Sequence, residues 1–418
     1  MITVEPDLGL AAGLFDALRE SSFDGVGVTR DSYGAGEQRA HDLVACAARG
    51  LGLEVSTDAA LNLYMTLKGE NRAAPLRMAG SHLDSVPCGG NFDGAAGVVA
   101  GMAVLSAWVK AGYTPAADTT VVALRGEESA WFPVSYVGSK AAFGVLPADA
   151  LDVVRSDSRG RLADCIAVLG GTPDAIRAGV AYLDPRRIDR FIELHIEQGP
   201  VLLEAGETIG IVTGICGSLR YRHAEAHGTY AHSGATPRDH RHDAVLATSA
   251  MAVALDEAWR DLQRDGHELT VTVGRFSTDA VRADISKVAG HVSFAIDVRS
   301  RSDATLETMD QRIREAVDAI LARYGVRIET GPRTRSAPAS LSEGYRRRLR
   351  TEARRLGIRA REMPSGAGHD AALFSAQGVP SAMIFVRNAH GSHNPDESMS
   401  LDDFAHGARL LSLLLQDG

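Results

Sequence analysis

The sequence predicts an α/β protein of two domains, in which a discontinuous outer domain is interrupted by an inserted α+β domain. Three observations predict it. At 418 residues the chain exceeds what one hydrophobic core ordinarily organises. Strand-like and helix-like patterns alternate along most of its length, and between about residues 212 and 332 their order becomes β, helix, β, β, helix, β. Segments rich in Gly, Ser, Thr and Pro, GIVTGICGS and TGPRTRSAPAS, flank that stretch. The predicted division is therefore 1–211 with 333–418 for the outer domain and 212–332 for the insert.

Each element has its own signal. GEQRAHDLVACAARGLG spaces its apolar residues as an amphipathic helix, and APLRMAGS is a short apolar run that reads as a strand leading into His82. GAAGVVAGMAVLSAWVKAG reads as a buried helix that begins just after Asp93. TTVVALRG is a β-rich run ahead of Glu127 and Glu128, FIELHI carries His195, and VPSAMIFVRN precedes His393. Within the insert, SLRYRHAEAHG, HELTVTVGRF, AGHVSFAIDVRS and YGVRIETG read as strands. DHRHDAVLATSAMAVALDEAWRDLQRD and DATLETMDQRIREAVDAILARYG read as its helices.

Composition narrows the classes of function. With 45% apolar and 23% charged residues, the chain has the make-up of a globular protein with a large core. No apolar run reaches about eighteen residues, and the acidic N-terminal stretch lacks the basic and apolar regions of a signal peptide, so no membrane partner is expected. Four scattered cysteines, Cys46, Cys88, Cys165 and Cys216, show no metal-site spacing and are too few for a disulfide framework, which fits a reducing cytoplasm. Cys88 reads as a small packed residue rather than a ligand. A net charge of −9 argues against nucleic-acid binding, and Arg346, Arg347, Arg348, Arg350, Arg354 and Arg355 read as the wet face of a helix. His223, His227, His240 and His242 read as a polar surface.

The chemistry lies in four stretches, GSHLDSVPCGGNFDG, RGEESAWF, ELHIEQGP and HGSHNPDE. They contain His82, Asp93, Glu128, His195 and His393, three imidazoles and two carboxylates, the nitrogen and oxygen mix that suits zinc, manganese, cobalt or nickel. A lone histidine or a Glu-Glu pair is ordinarily a solvated loop feature; their joint occurrence beside four separate strands is what singles them out. Asp93, between glycines and just ahead of a helix, suits a carboxylate shared by two ions. Glu127 and Glu128 are adjacent, so one can bind metal while its neighbour faces the substrate as a base. Asp84 is placed to hold the second nitrogen of His82 and so orient it.

These motifs, with GTYAHSGATPRDHRHDA and PSGAGHDA in the same order, resemble those of the M20 metallopeptidase clan, and within it the hydantoinase/carbamoylase amidase branch. That branch contains N-carbamoyl-L-amino-acid hydrolases, allantoate amidohydrolases and β-ureidopropionases. The resemblance implies a zinc-peptidase-like catalytic domain with a lid and dimerisation domain inserted, and a homodimer. It implies two divalent ions per subunit, Zn2+ first, with Mn2+, Co2+ or Ni2+ as alternatives. His82, Asp93 and His195 would hold one ion, and Asp93, Glu128 and His393 the other. Glu127 would be the general base, Asp84 the partner of His82, and His232 of AHSGATP the group that stabilises the oxyanion. Arg299 would receive a substrate carboxylate, with Gln198, Gly366, Ala367 and His369, followed by Asp370, lining the pocket.

The pocket also departs from the branch. Where an asparagine-rich stretch is common, this chain reads ADISKVAG, so Ser286 stands where a substrate-contacting Asn is expected, with Lys287 beside it. The expected reaction is hydrolysis of a linear C–N bond in a small molecule carrying a carboxylate. An N-carbamoyl-L-amino acid would give the amino acid, carbon dioxide and ammonia through a water shared by the two ions. The alternatives are an N-acyl-amino-acid amidase, a dipeptidase, an allantoate amidohydrolase, and a binding protein that keeps the fold without catalysis.

Overall fold

The computed structural model describes residues 4–416. Two compact units emerge: one runs through Thr213 and takes up Ser340–Met363 and the chain from His369 onward, and the other is Gly214–Ala339 with Pro364–Gly368.

The first unit is built on a nine-stranded sheet. Its order is Glu54–Thr57, Leu63–Leu67, Thr119–Leu124, Leu76–His82, Ile188–Ile196, Ser381–Val386 and Ile209–Ile215, with Ala339–Ser340 and Ala360–Ser365 beside the last of these. The four central strands are mutually parallel. They are buried on both faces, which is why they read as continuous apolar runs rather than alternating ones. Helix Ala95–Lys110 packs on the sheet with every residue from Ala95 to Trp108 buried, as its lack of a polar face demands. Helices Leu8–Ser22, Ala35–Gly50 and Leu401–Leu415 close the same core. Parallel strands all deliver their carboxyl ends to one edge, and the candidate ligands lie there. His82 is the last residue of its strand and His195 lies inside one, whereas Glu128 and His393 follow theirs by several residues.

In the second unit the sheet order is Arg327–Glu329, Gly217–His227, His291–Ser300 and Leu269–Thr278, with Arg333–Ser336 also on Gly217–His227. Strand His291–Ser300 alternates at every residue, so Val292, Phe294, Ile296 and Val298 are buried in a core shared with helices Ala244–Arg264 and Asp303–Tyr324. The intervening residues occupy the sheet's open face. Asp243 caps the first helix by accepting from the Val245 and Leu246 amides at 2.9 and 3.1 Å, and Ser302 caps the second at Thr305. Arg333–Ser336 and the two-residue pair Ala231–His232 with Lys287–Val288 were not expected from the sequence, because such short polar pieces carry no alternation to read.

Several arginines of Glu343–Arg355 are engaged by the chain itself. Arg346 and Arg350 bond Glu362, and Arg355 bonds Glu352. Cys88 corrects an expectation: it is exposed, at φ 50°, where Asp24 faces its thiol and raises its pKa. Among the described residues, no helix is long and apolar enough to cross a membrane.

Candidate metal centre

Asp93 is the hub. Its Oδ1 lies 3.4 Å from His82 Nε2 and 3.3 Å from His195 Nε2, and its Oδ2 lies 3.6 Å from His393 Nε2. Glu128 Oε1 is 3.0 Å from that same His393 nitrogen. The structure therefore brings together two ligand groups, His82–Asp93–His195 and Asp93–Glu128–His393, sharing one carboxylate. Glu127 Oε2 stands 3.9 Å from His82 Nε2, outside both triads but beside them.

Local structure aims each ligand. His82 Nδ1 meets the Asp84 carbonyl at 3.0 Å and the Asp84 carboxylate at 3.3 Å, which puts its proton on Nδ1 and turns Nε2 toward Asp93. His195 does the same through the Ile196 carbonyl at 2.9 Å. Asp84 serves more than His82: its carboxylate accepts from the Glu127 and Glu128 amides at 3.2 and 3.1 Å, and from Ser32 Oγ at 2.6 Å. One side chain thereby sets both a ligand and the loop of the Glu-Glu pair. Gly94 has φ 66° and a Cβ there would lie 2.4 Å from His82 Cε1, so only glycine fits between hub and helix.

Whether a divalent ion suits these residues is tested by their spacing. Ligands about 2.0–2.1 Å from a tetrahedral ion stand about 3.3 Å apart. The separations around Asp93 centre on that value, and are mostly too long for charge-assisted hydrogen bonds of about 2.7–2.9 Å. Asp93 Oδ1 is moreover buried with no hydrogen-bond partner among the described residues, a costly state for a carboxylate oxygen that a cation relieves. The donor set fits a divalent metal.

The electrostatics agree. Burial opposes charge on His82, but Asp84, Asp93 and Glu127 outweigh it and raise its pKa well above the ordinary imidazole range. Burial likewise opposes charge on Asp93, yet His195 and His82 hold its carboxyl well below the usual range. Burial pushes Glu127 well above that range; His82 pulls against this, and Glu128 and Asp370 add to it. His393 is raised to about 9, first by Glu128.

The remaining expected residues fall into two places. In the first unit, Gln198 Nε2 donates to Asp93 Oδ2 at 2.7 Å, and the His369 ring lies edge-on to His195 at 4.6 Å. In the second, Arg299 donates to the Gly366 carbonyl at 3.0 Å and is held by Asp297, with the Ala367 carbonyl accepting from Ser365. His232 Nδ1 accepts from the Gly234 and Ala235 amides at 3.1 Å each, which leaves its proton on Nε2. Ser286 bonds Asp284, and its carbonyl accepts from Ser233.

Sequence reasoning missed the supports. Glu397 accepts from the Phe92 and Asp93 amides at 2.6 and 3.2 Å and so fixes the hub's backbone; its pKa is pushed up to about 7 by burial and by Asp93. Ser392 donates to Asp93 Oδ2. Both lie in HGSHNPDE, where the signal was available. Ser32 and the buried Arg30, which donates to the Leu83 carbonyl at 2.6 Å, had none. Trp131 is buried in a satellite core and donates to the Ser85 carbonyl at 2.7 Å.

Comparison with known proteins follows the same lines. Residues 78–417 match the family model of peptidase family M20/M25/M40. The chain is 37% identical over 387 residues to the N-carbamoyl-L-amino acid amidohydrolase of Geobacillus stearothermophilus, covering 92% of each. It is 33% identical over 368 residues to the allantoate amidohydrolase of Escherichia coli strain K12, covering 87% of this chain and 86% of that one. A solved hydantoinase/carbamoylase family amidase from Burkholderia ambifaria matches with a TM-score of 0.82 at 30% identity, over 99% of this chain and 97% of the other. The matched span contains every group gathered around Asp93, and the chain belongs to peptidase family M20/M25/M40, in its hydantoinase/carbamoylase branch.

Proposed function

We propose that this protein is a metal-dependent amidohydrolase that converts an N-carbamoyl-L-amino acid to the amino acid, carbon dioxide and ammonia. The observation that carries the reading is the shared carboxylate of Asp93 between two ligand triads, with Glu127 beside them and in neither. The relative with 37% identity, named for this reaction, supports the substrate class.

Two divalent ions, zinc first, would be held by His82, Asp93 and His195 and by Asp93, Glu128 and His393. Bound there, they would supply the Lewis acidity that polarises the scissile carbonyl and makes a water acidic near neutral pH. Glu127 takes the proton from the attacking water and returns it to the leaving nitrogen. Asp84 keeps His82 in the tautomer that presents Nε2. His232, protonated on Nε2, is assigned to the developing oxyanion. Arg299 is assigned to the substrate carboxylate, with Gln198, Ser286, Gly366, Ala367 and His369 around the substrate. One water balances the overall reaction.

We also propose a homodimer in the cytoplasm. Support comes from Leu246 and Val253, both 57% exposed on helix Ala244–Arg264, beside an edge strand, Leu269–Thr278. Four free cysteines suit a reducing compartment. Allantoate is the second reading, favoured by the relative with 33% identity.

The test is product release by metal-stripped protein reconstituted with zinc, manganese or cobalt. Candidate substrates are N-carbamoyl-L-amino acids, β-ureidopropionate, allantoate, N-acetyl amino acids and dipeptides. Metal-dependent ammonia and amine from a carbamoyl amino acid supports the proposal. Preferred turnover of allantoate selects the second reading, and amine without ammonia from acyl or peptide substrates overturns both.

A further inference from the structure

The open face of the second unit's sheet gathers two imidazoles and two carboxylates at one end. His291 is paired directly with His227 in the ladder, and Glu329 with Glu225, so the four side chains come from three neighbouring strands. His227 Nε2 lies 3.3 Å from Glu225 Oε2 and 3.6 Å from Glu329 Oε2, and His291 Nε2 lies 3.8 Å from Glu225 Oε2. These groups converge without bonding one another. Although His227 is only half-buried, its Nε2 is buried and has no hydrogen-bond partner among the described residues. Glu225, His227 and His291 repeat the pattern around Asp93, nitrogen and oxygen donors within metal-ligand reach of one another around an unsatisfied buried atom; Glu329 lies beside His227 but outside that triad. Arg327 bonds Glu329 through Oε1, which leaves Oε2 facing His227. Expectation had grouped His227 with His223, His240 and His242; strand register instead gives it His291, from a different segment.

We propose that Glu225, His227 and His291 form a further metal site that takes one zinc-class divalent ion, with Glu329 beside His227. Two nitrogens and a carboxylate oxygen suit zinc, and thiolate-seeking ions have no ligand there. The ion acts as a structural staple, tying Gly217–His227 to His291–Ser300 on the open face of the sheet. Closing a link between residues distant in sequence stabilises the fold by the binding free energy of the ion.

The test counts ions. Full-length protein is stripped with chelator, reconstituted with zinc sulfate and measured by plasma mass spectrometry as wild type, His291→Gln and Glu225→Gln. The expected result is one zinc fewer per chain in each variant, unchanged turnover, and a smaller zinc-induced rise in Tm. An Asp93→Ala protein, disabled at the other centre, should still take up one zinc per chain and lose it on adding His291→Gln. Equal zinc content in wild type and both variants overturns the proposal, as does an Asp93→Ala protein that binds none. Neither result bears on the amidohydrolase reading, which the substrate panel decides separately.

Discussion

A carboxylate that serves two ions must keep its lone pairs from being spent elsewhere. Asp93 meets this at Oδ1, which stays bare between two imidazoles, whereas Oδ2 accepts from Gln198 and Ser392, donors that a second ion would have to displace. Glu127 lies 3.9 Å from His82 and in neither triad, the placement that the proposed base requires. Glu127→Gln should lower kcat by roughly 10²–10⁴-fold while metal content is unchanged; turnover and plasma mass spectrometry on one preparation check it, and concurrent loss of metal would make Glu127 a ligand instead. Gly94 is the other residue with no substitute. Gly94→Ala combines a left-handed backbone with a Cβ against the His82 ring, so it should cost about 1–3 kcal/mol of stability and lower metal affinity. Urea melts and a metal titration would show both effects.

At the level of elements, strands deliver ligands and loops refine them. The loop after Ser381–Val386 returns Glu397 to the Asp93 backbone, 304 residues earlier in the chain. Glu397→Gln keeps an oxygen that accepts from both amides but loses the carboxylate and its second acceptor, toward Ser392, and by analogy with outer supports of other metal sites it should weaken metal binding roughly 10–100-fold; isothermal titration with zinc reads this directly. Helix Ala35–Gly50 is tied to the Glu-Glu loop in a similar way, through Glu37, which accepts from the Tyr33 and Gly126 amides and from Arg125. Burial, opposed by Arg125, raises Glu37 to about 7. A carboxyl raised in the folded state binds its proton more tightly there, so its contribution is fully present below about 4.5 and is lost as pH rises through about 7. The stability difference between wild type and Glu37→Gln should therefore shift against wild type across that window, as measured by Tm at pH 5 and pH 8. The main strands and helices were legible because apolar runs and amphipathic spacing are local properties. Convergence of ligand-type side chains was legible too, since each sits at or just beyond a strand. The backing of Asp93 by Glu397, or of Asp84 by Ser32, was not, because such pairs depend on long-range packing that no local pattern encodes.

For the molecule as a whole, the two units were legible from a change in element order and its Gly- and Pro-rich flanks. Assignment of Pro364–Gly368 to the second unit was not, since that segment joins by contact rather than by sequence continuity. The exposed Leu246 and Val253 bear on assembly. Charging both, as Leu246→Asp with Val253→Asp, should convert a dimer to monomer by analytical ultracentrifugation with the helix retained; wild type sedimenting as a monomer would defeat the homodimer reading. The spread of the centre along the chain has a consequence in time. Ser392, on the Oδ2 side of Asp93, lies 299 residues beyond it, with His393 next in line. During synthesis, at about 5–20 residues per second, the N-terminal half emerges first. A nascent chain can present His82, Asp93 and His195 well before His393 exists, so the triad of the second ion forms only when translation is nearly complete. If the proposed ions load as the chain emerges, the His82–Asp93–His195 triad is the first available, and a chain released early would hold the ligands of one ion without those of the other.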